Sequence, residues 1–168
     1  MKSWRTVALS ALLTFLTGCG WHLRGLDSIE LPFATLYLQA NSVNAELVSQ
    51  LTSQLSRQNI TLSASSLGQY QLILENYRED KRVLTTDSRG RASDYQLTSS
   101  VDMQLIDDQQ KLLIEPETLE LTRSYNFDAD NVASAGEEEK LLRKEMKQEL
   151  ARRILLRLQA LSPNEPAS

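Results

Sequence analysis

The chain has 168 residues, of which 41% are hydrophobic and 24% are charged, as in an ordinary domain with a single core. Its formal net charge is −4 at pH 7, and an acidic surface disfavours generic binding of nucleic acid or of anionic membranes. The single cysteine excludes an intramolecular disulfide framework.

The first part of the chain has the pattern of a secretory signal. Lys2 and Arg5 supply positive charge, residues 6–16 are almost wholly apolar, and Leu16-Thr17-Gly18-Cys19 follows at once. A basic start, an apolar run of roughly 7–15 residues and small residues at a cleavage site are typical of such signals. The run is too short to span a bilayer, which needs about 20 residues. We therefore predict that residues 1–18 are removed.

The end of this signal resembles the lipobox of bacterial lipoprotein precursors, in which a branched apolar residue, a small residue and Gly precede Cys. The resemblance implies attachment of S-diacylglycerol to Cys19, cleavage before it, and acylation of the new amine with palmitate. An ordinary signal with an incidental cysteine is the alternative. Two or more fatty chains anchor a protein stably. Gly20, where an Asp commonly retains lipoproteins of this class in the inner membrane, favours the outer membrane.

Removal of the signal takes away Lys2 and Arg5, which leaves 16 basic and 22 acidic residues, or 16 − 22 = −6. The lipid, and not surface charge, is therefore expected to hold the protein at the membrane. Residues 19–34 are predicted to form a lipidated tether, residues 35–161 one domain, and residues 162–168 a disordered tail.

The first half of the domain predicts a strand, a helix and a short extended segment. Residues 35–39 form the strand, and either Asn41 or Asn44 caps a helix that runs to about Gln58. The helix carries an apolar stripe at i+4 spacing, formed by Leu47, Leu51 and Leu55. Residues 59–62 are the extended segment, and a Ser-rich turn follows.

The middle of the chain predicts three long strands. Residues 70–86 are extended, and a turn at residues 88–90 contains Gly90. The next strand alternates over about a dozen residues, or roughly 40 Å. Its apolar face, which only Ser99 interrupts, contains Tyr95, Leu97, Val101, Met103 and Leu105. The third strand covers residues 111–127, where Pro116 indicates an edge or a bulge.

The last element is predicted to be a helix that follows a small-residue loop over residues 128–136. Ser134 and Glu137 have the spacing of a capping box, and Glu137-Glu138-Glu139 complements the positive end of the helix dipole. Its i+4 stripe consists of Leu142, Met146, Leu150, Ile154 and Leu158, widened by Leu141, Ala151 and Leu155.

The predicted fold class is therefore α/β, as an α+β two-layer sandwich. Its small mixed sheet has long antiparallel strands, and two amphipathic helices pack on one face. The other face is rich in Thr, Ser, Gln and Asp, so we expect it to meet water or another polar surface.

Residues suited to catalysis are scarce. His22 is the only histidine and lies in the predicted tether, and zinc sites require several His or Cys ligands. The chain has no glycine-rich phosphate loop and no GxSxG motif. The acidic turns at Asp107-Asp108 and Asp128–Asp130 fit solvated loops better than cation sites. We therefore expect no catalytic residues, no cofactor and no metal.

Basic residues cluster around the end of the first long hairpin. Five cations stand against Glu79, Asp80 and Asp87, a local charge of 5 − 3 = +2; they are Arg78, Lys81, Arg82, Arg89 and Arg91. One interpretation is a solvated loop whose charges protect an exposed strand edge. The other is an anion site, because arginine pairs well with phosphates and carboxylates. A phosphorylated glycolipid is the obvious anion for an outer-membrane lipoprotein.

Several motifs together resemble the LptE family of lipopolysaccharide-assembly lipoproteins. They are the lipobox, the Cys-Gly-Trp-His-Leu-Arg run at residues 19–24, Asp94-Tyr95-Gln96 and Arg143-Lys144-Glu145-Met146. The order of elements matches over nearly the whole mature chain. The resemblance implies a non-catalytic, lipid-anchored protein on the periplasmic side of the outer membrane. Such a protein plugs the LptD β-barrel, assists its assembly and binds lipopolysaccharide.

The same resemblance implies a set of candidate binding residues. Basic residues of the family that bind lipopolysaccharide lie at the hairpin end and near the start of the last helix. The matching residues here are Arg89, Arg91, Lys81, Arg82 and Lys140. Two non-enzymatic alternatives stay open: a periplasm-facing auxiliary lipoprotein of an ABC-type export system, and an envelope lipoprotein that grips peptidoglycan.

Overall fold

The computed structural model describes residue 31 and residues 33–67, 69–128 and 131–161. The predicted signal, most of the tether including Cys19 and His22, and the C-terminal tail lie outside the described residues. The elements in chain order are β1 (Thr35–Asn41), α1 (Ala45–Arg57), β2 (Thr61–Ser63), β3 (Tyr70–Thr86), β4 (Ala92–Ile106), β5 (Leu112–Asn126) and α2 (Val132–Gln159).

The strands form one five-stranded mixed sheet in the order β2-β1-β3-β4-β5. β1 pairs in parallel with both β2 and β3, and α1 provides the crossover from β1 to β2 that a parallel pair requires. β3, β4 and β5 form two successive antiparallel hairpins. The predicted mixed sheet with long antiparallel strands is confirmed.

Both helices pack on one face of this sheet and share a single core. Leu47, Leu51 and Leu55 of α1 are fully buried, so the predicted i+4 stripe is confirmed. The side chain of Asn44 accepts the backbone N–H groups of Glu46 and Leu47, which identifies Asn44 rather than Asn41 as the cap. Within the described residues, neither helix is both long and apolar enough to cross a membrane.

A β-bulge divides β3 into two parts with different surroundings. Before it, Leu72 and Leu74 pair with Leu105 and Met103 in the core. The register shifts between Glu75 and Arg78, where Asn76 has a φ of 52°. A bulge changes which face each later side chain occupies. Beyond the bulge, Glu79 and Lys81 of β3 are ion-paired with residues of α2. We call residues 77–99 the extended end of the hairpin.

The start of α2 differs from the prediction. The helix begins at Val132, and the side chain of Asn131 accepts the backbone N–H of Ser134 at 3.4 Å. The predicted loop over residues 128–136 extends too far, because residues 132–136 are helical. The predicted Ser134–Glu137 capping box is wrong, because Asn131 caps the helix one turn earlier. The run Glu137-Glu138-Glu139 lies in the second turn. Leu141 is 58% exposed and does not widen the apolar stripe.

Pro116 lies on β5, the edge strand of the described sheet. The β4–β5 register also shifts beside it, between the pairs Met103–Glu117 and Leu105–Ile114. Proline cannot donate to a strand ladder, so it is confined to edges and irregular positions. Both features match the prediction.

Candidate functional site

The turn between β3 and β4 is organised by one carboxylate. Asp87 Oδ1 accepts the backbone N–H groups of Arg89 at 2.8 Å and Arg91 at 2.9 Å. The Asp87 carbonyl accepts the N–H of Gly90 at 2.9 Å, and Gly90 adopts a φ of +77°, which glycine tolerates without strain. The turn therefore holds Arg89 and Arg91 in fixed backbone positions at the end of the hairpin.

The two arginines of this turn differ in their side-chain partners. Arg91 Nε lies 2.9 Å from Asp87 Oδ2 in an ion pair. The backbone hydrogen bond from Arg91, followed by the one from its side chain, lowers the pKa of Asp87 below its usual value. The Arg89 side chain has no hydrogen-bond or ion-pair partner among the described residues. Arg89 is thus the more available of the two cations.

The turn between β4 and β5 repeats this geometry at the opposite end of β4. Asp107 Oδ1 accepts the N–H groups of Gln109 at 2.9 Å and Lys111 at 2.8 Å, and Gln110 has a φ of 66°. The Asp107 carboxylate therefore serves the turn. No group of three or more metal-binding side chains converges anywhere in the described residues.

Lys81 is not at the open end of the hairpin. It pairs in register with Leu97 on the face that α2 covers. Its Nζ lies 2.5 Å from Glu139 Oε2 and 4.0 Å above the centre of the Tyr95 ring. Burial lowers the pKa of Lys81, but hydrogen bonds with Glu139 and Tyr125 outweigh burial and raise it. Lys81 therefore joins β3 to α2.

Arg82 lies on the opposite face of the sheet, away from the helices. It pairs in register with Gln96, and its Nε donates to Gln96 Oε1 at 2.5 Å. Further along the same face, Asp102 accepts hydrogen bonds from Asn76 at 3.0 Å and Thr118 at 2.6 Å. This face carries polar side chains tied to one another across β3, β4 and β5, as the sequence predicts.

Lys140 projects from α2 into solvent. Its Nζ lies 2.6 Å from Glu137 Oε1, and both side chains are 75% exposed. Such exposed pairs contribute little to stability. The five predicted binding residues are therefore separated by the structure: Arg89 and Arg91 share the turn, Arg82 lies on the polar sheet face, Lys81 lies under α2, and Lys140 lies on its outer surface.

Sequence reasoning missed an ion network between the extended end of the hairpin and the helices. Arg143 Nη1 lies 3.0 Å from Glu79, and its Nη2 lies 2.8 Å from Glu139. Lys147 Nζ reaches Glu46 of α1 at 3.0 Å and Glu79 of β3 at 3.5 Å. The i+4 spacing of Glu139, Arg143 and Lys147 was a visible signal. Their partners on other elements are far away in sequence.

The ion network lowers the pKa values of two of its carboxylates, Glu139 and Glu79. Burial raises the pKa of Glu139, but hydrogen bonds from Lys81, Tyr125 and Arg143 outweigh burial and lower the pKa to about 2. For Glu79, the hydrogen bond from Tyr77 and the charges of Lys147 and Arg143 likewise outweigh burial and lower the pKa. Both carboxylates are therefore ionised in the folded domain at neutral pH.

Comparison with known proteins identifies the family of this fold. Residues 33–158 match the LptE family, whose description is lipopolysaccharide assembly. The chain belongs to the LptE family. A relative, the LPS-assembly lipoprotein LptE of Photorhabdus laumondii, is 23% identical over 154 residues, which cover 91% of this chain and 84% of that protein.

Solved structures of lipoproteins share the fold. Lipoprotein B from Nitrosomonas europaea superposes with a TM-score of 0.69 and 28% identity, covering 84% of this chain and 91% of that one. A minor lipoprotein from Acinetobacter baumannii superposes with a TM-score of 0.65 and 25% identity, covering 78% of this chain and 94% of that one. The rare lipoprotein B from Shewanella oneidensis superposes with a TM-score of 0.68 and 22% identity, covering 75% of this chain and 94% of that one. At this identity the likeness shows the fold alone. The predicted LptE resemblance and fold class are thus confirmed.

Proposed function

We propose that this protein is the outer-membrane lipoprotein subunit of the lipopolysaccharide translocon. In this role it plugs the LptD β-barrel, assists the assembly of that barrel, and binds lipopolysaccharide for delivery to the cell surface. The LptE family match across residues 33–158 carries the proposal. Acyl chains on Cys19 would anchor the protein on the periplasmic side of the outer membrane.

The shape and polarity of the sheet support the plug. β3 and β4 have 17 and 15 residues, which at about 3.4 Å per residue gives roughly 50 Å, long enough to extend deep into a barrel. Barrel interiors are polar. The sheet face away from the helices carries the hydrogen-bonded groups of Arg82, Gln96 and Asp102, which suits contact with such an interior.

The end of the first hairpin supports binding of a phosphorylated lipid. Arg89 and Arg91 are held there by Asp87, and arginine forks match the geometry of phosphate oxygens. Val83 and Leu84, on the adjoining end of β3, are 50% and 47% exposed. Cations beside exposed apolar side chains suit an amphipathic anion such as lipopolysaccharide. Lys81, Arg82 and Lys140 stay additional candidates.

The first experiment tests the barrel partner. A C-terminally tagged chain is purified from detergent-solubilised outer membranes, and the bound proteins are identified by mass spectrometry. We expect one large β-barrel protein near a one-to-one ratio, stable to washing. Recovery of the protein alone, or with an inner-membrane ATPase complex, would overturn the translocon assignment and favour the auxiliary-lipoprotein alternative.

A second experiment tests the anion site with a control of equal charge. The Arg89→Glu, Arg91→Glu double variant changes the net charge by −4, and so does Arg57→Glu combined with Lys111→Glu. Arg57 and Lys111 lie at the other end of the sheet, roughly 50 Å away along β4. We expect the first variant to bind lipopolysaccharide at least about tenfold more weakly and the control to bind normally. Equal binding by both variants would exclude the turn as the site.

A further inference from the structure

The two halves of α2 are attached to the rest of the domain by different kinds of contact. In residues 146–159 the helix buries six apolar side chains: Met146, Leu150, Ala151, Ile154, Leu155 and Leu158. In residues 132–145, Ala135 is the one fully buried apolar side chain, and Leu142 is half-buried. Hydrophobic burial is the main force that holds a helix to a sheet. The first half has little of it.

Polar contacts hold that first half instead. Glu139 Oε2 accepts hydrogen bonds from Lys81 Nζ at 2.5 Å and from the Tyr125 hydroxyl at 2.6 Å. Arg143 Nη1 lies 3.0 Å from Glu79 Oε2. All five side chains belong to the extended end of the hairpin, to β5 or to α2. The charged groups are 20–33% exposed, so solvent and salt reach them.

Two further features weaken the first half of the helix. Gly136 lies inside it, and a methyl group there would meet no atom of another element within 4 Å, so position 136 makes no contact with the sheet. Glycine is also among the weakest helix formers. Val132 and Leu141 are 59% and 58% exposed and therefore do not add to the attachment.

We propose that residues 132–145 of α2 form a lid that opens as a unit about Met146, while residues 146–159 stay docked. Lys147 marks the fixed side of the hinge, because it is 9% exposed and bridges Glu46 of α1 to Glu79 of β3. Local opening of a weakly packed segment below the free energy of global unfolding is a common property of folded domains.

The lid covers a surface with a defined chemistry. Beneath it the Tyr95 ring packs against Tyr125 at 5.8 Å and Phe127 at 5.2 Å between ring centres, with Lys81 over the Tyr95 ring. Opening removes Glu139 from Lys81 and exposes an apolar surface with a free cation at its side. If the proposed function holds, the lid controls whether Lys81 can contact lipopolysaccharide.

Hydrogen exchange measured residue by residue on the full-length chain in mild detergent tests the lid without any ligand. Salt screens the ion pairs, since the Debye length falls from about 30 Å at 0.01 M to about 3 Å at 1 M. We expect amides 137–145 to exchange faster than amides 150–158 at low salt. Raising the salt concentration to about 1 M should accelerate exchange of amides 137–145 about tenfold. Amides 150–158 should change little. Equal protection along the whole of α2, insensitive to salt, would overturn the lid.

A matched pair of substitutions separates the lid from general helix fraying. Glu139→Gln removes the charge that joins the lid to Lys81 and Arg143. Glu149→Gln makes the same change on the same helix, but among the described residues Glu149 pairs only with Arg152 and Arg153 of α2. Glu139→Gln should accelerate exchange at residues 137–145 and reduce its salt dependence, while Glu149→Gln should leave that segment unchanged. Acceleration by both variants alike would contradict the lid.

Lipopolysaccharide binding by the Glu139→Gln variant tests the link to the proposed function separately. We expect tighter binding than by the unsubstituted chain, because Lys81 is released. If hydrogen exchange shows the lid and binding is unaltered, the lid stands and its control of the binding site is refuted.

Discussion

Asp87 and Asp107 occupy equivalent positions at the two hairpin ends, and each accepts two backbone N–H groups of its own turn. Short polar side chains that bond the backbone two residues on are the usual builders of such turns. In the first turn this geometry displays two arginines. In the second it displays Gln109 and Lys111, so the same local architecture carries a different surface charge.

The left-handed residue of each turn allows a direct test. Gly90 has a φ of +77° and Gln110 a φ of 66°. We expect Gly90→Ala to lower the free energy of unfolding by about 1 kcal/mol, because L-residues are disfavoured in this region. Gln110→Gly should raise the free energy of unfolding by up to about 1 kcal/mol, because glycine tolerates a positive φ. The greater freedom of glycine in the unfolded chain reduces this gain. Urea unfolding monitored by circular dichroism measures both.

Gly136 provides the control for this prediction. It lies inside α2, where its backbone is helical and a methyl group meets open space. Gly136→Ala should therefore stabilise the domain by about 0.5–1 kcal/mol through helix propensity. The same substitution at positions 90 and 136 should thus have opposite signs, and equal signs would contradict the backbone argument.

At the scale of elements, the start of α2 depends on Asn131. Its side-chain oxygen accepts the N–H of Ser134, one of the N–H groups that a helix leaves unpaired at its first turn. We expect Asn131→Ala to lower the free energy of unfolding by about 0.5–1 kcal/mol. Ser134→Ala should have almost no effect, although the sequence pattern favoured Ser134 as the cap. A larger loss from Ser134→Ala would show that the helix starts later in solution.

At the scale of the whole molecule, the Glu139 carboxylate joins three elements of the fold. The pKa of Glu139 is held near 2 by its partners on β3, β5 and α2, against an ordinary value of 4.5. A lowered pKa contributes stability that is complete above the unfolded value and is lost as pH falls toward the folded value. The interactions of Glu139 therefore stabilise the domain fully above about pH 5, and their contribution disappears as pH falls toward 2.

This linkage predicts a pH-dependent difference between two proteins. The free energy of unfolding of the unsubstituted chain should exceed that of Glu139→Gln by at most about 3 kcal/mol at pH 7. The difference should shrink steadily between pH 5 and pH 2.5, as measured by urea unfolding. The side chain of Glu137 is 75% exposed and, in the part of the chain that the structure describes, pairs only with Lys140 of α2, so Glu137→Gln should differ little at any pH. A constant difference for Glu139→Gln would exclude the proposed linkage.

The amino-acid sequence by itself determined the features that depend on local pattern. Period-two alternation on β4 and i+4 stripes on α1 and α2 predicted the elements, because side chains must alternate across a strand and recur along a helix face. The Asp and Gly residues of the turns and the Pro116 irregularity were also readable, since each reflects the backbone preference of one residue. The motifs that resemble the LptE family were visible for the same reason.

Only the tertiary structure decided which basic residues are available to a ligand. Lys81, Arg82 and Arg89 lie within nine positions of one another, yet one is bound to Glu139, one lies on the opposite sheet face, and one has no side-chain partner among the described residues. The bulge at Asn76 sets which face each occupies, and Glu139 is 58 residues away from Lys81. The same long-range contacts divide α2 into an ionic half and an apolar half. Charge in a sequence shows what can pair, whereas folding selects the partner, because ion pairs and burial depend on distances between residues far apart in the chain.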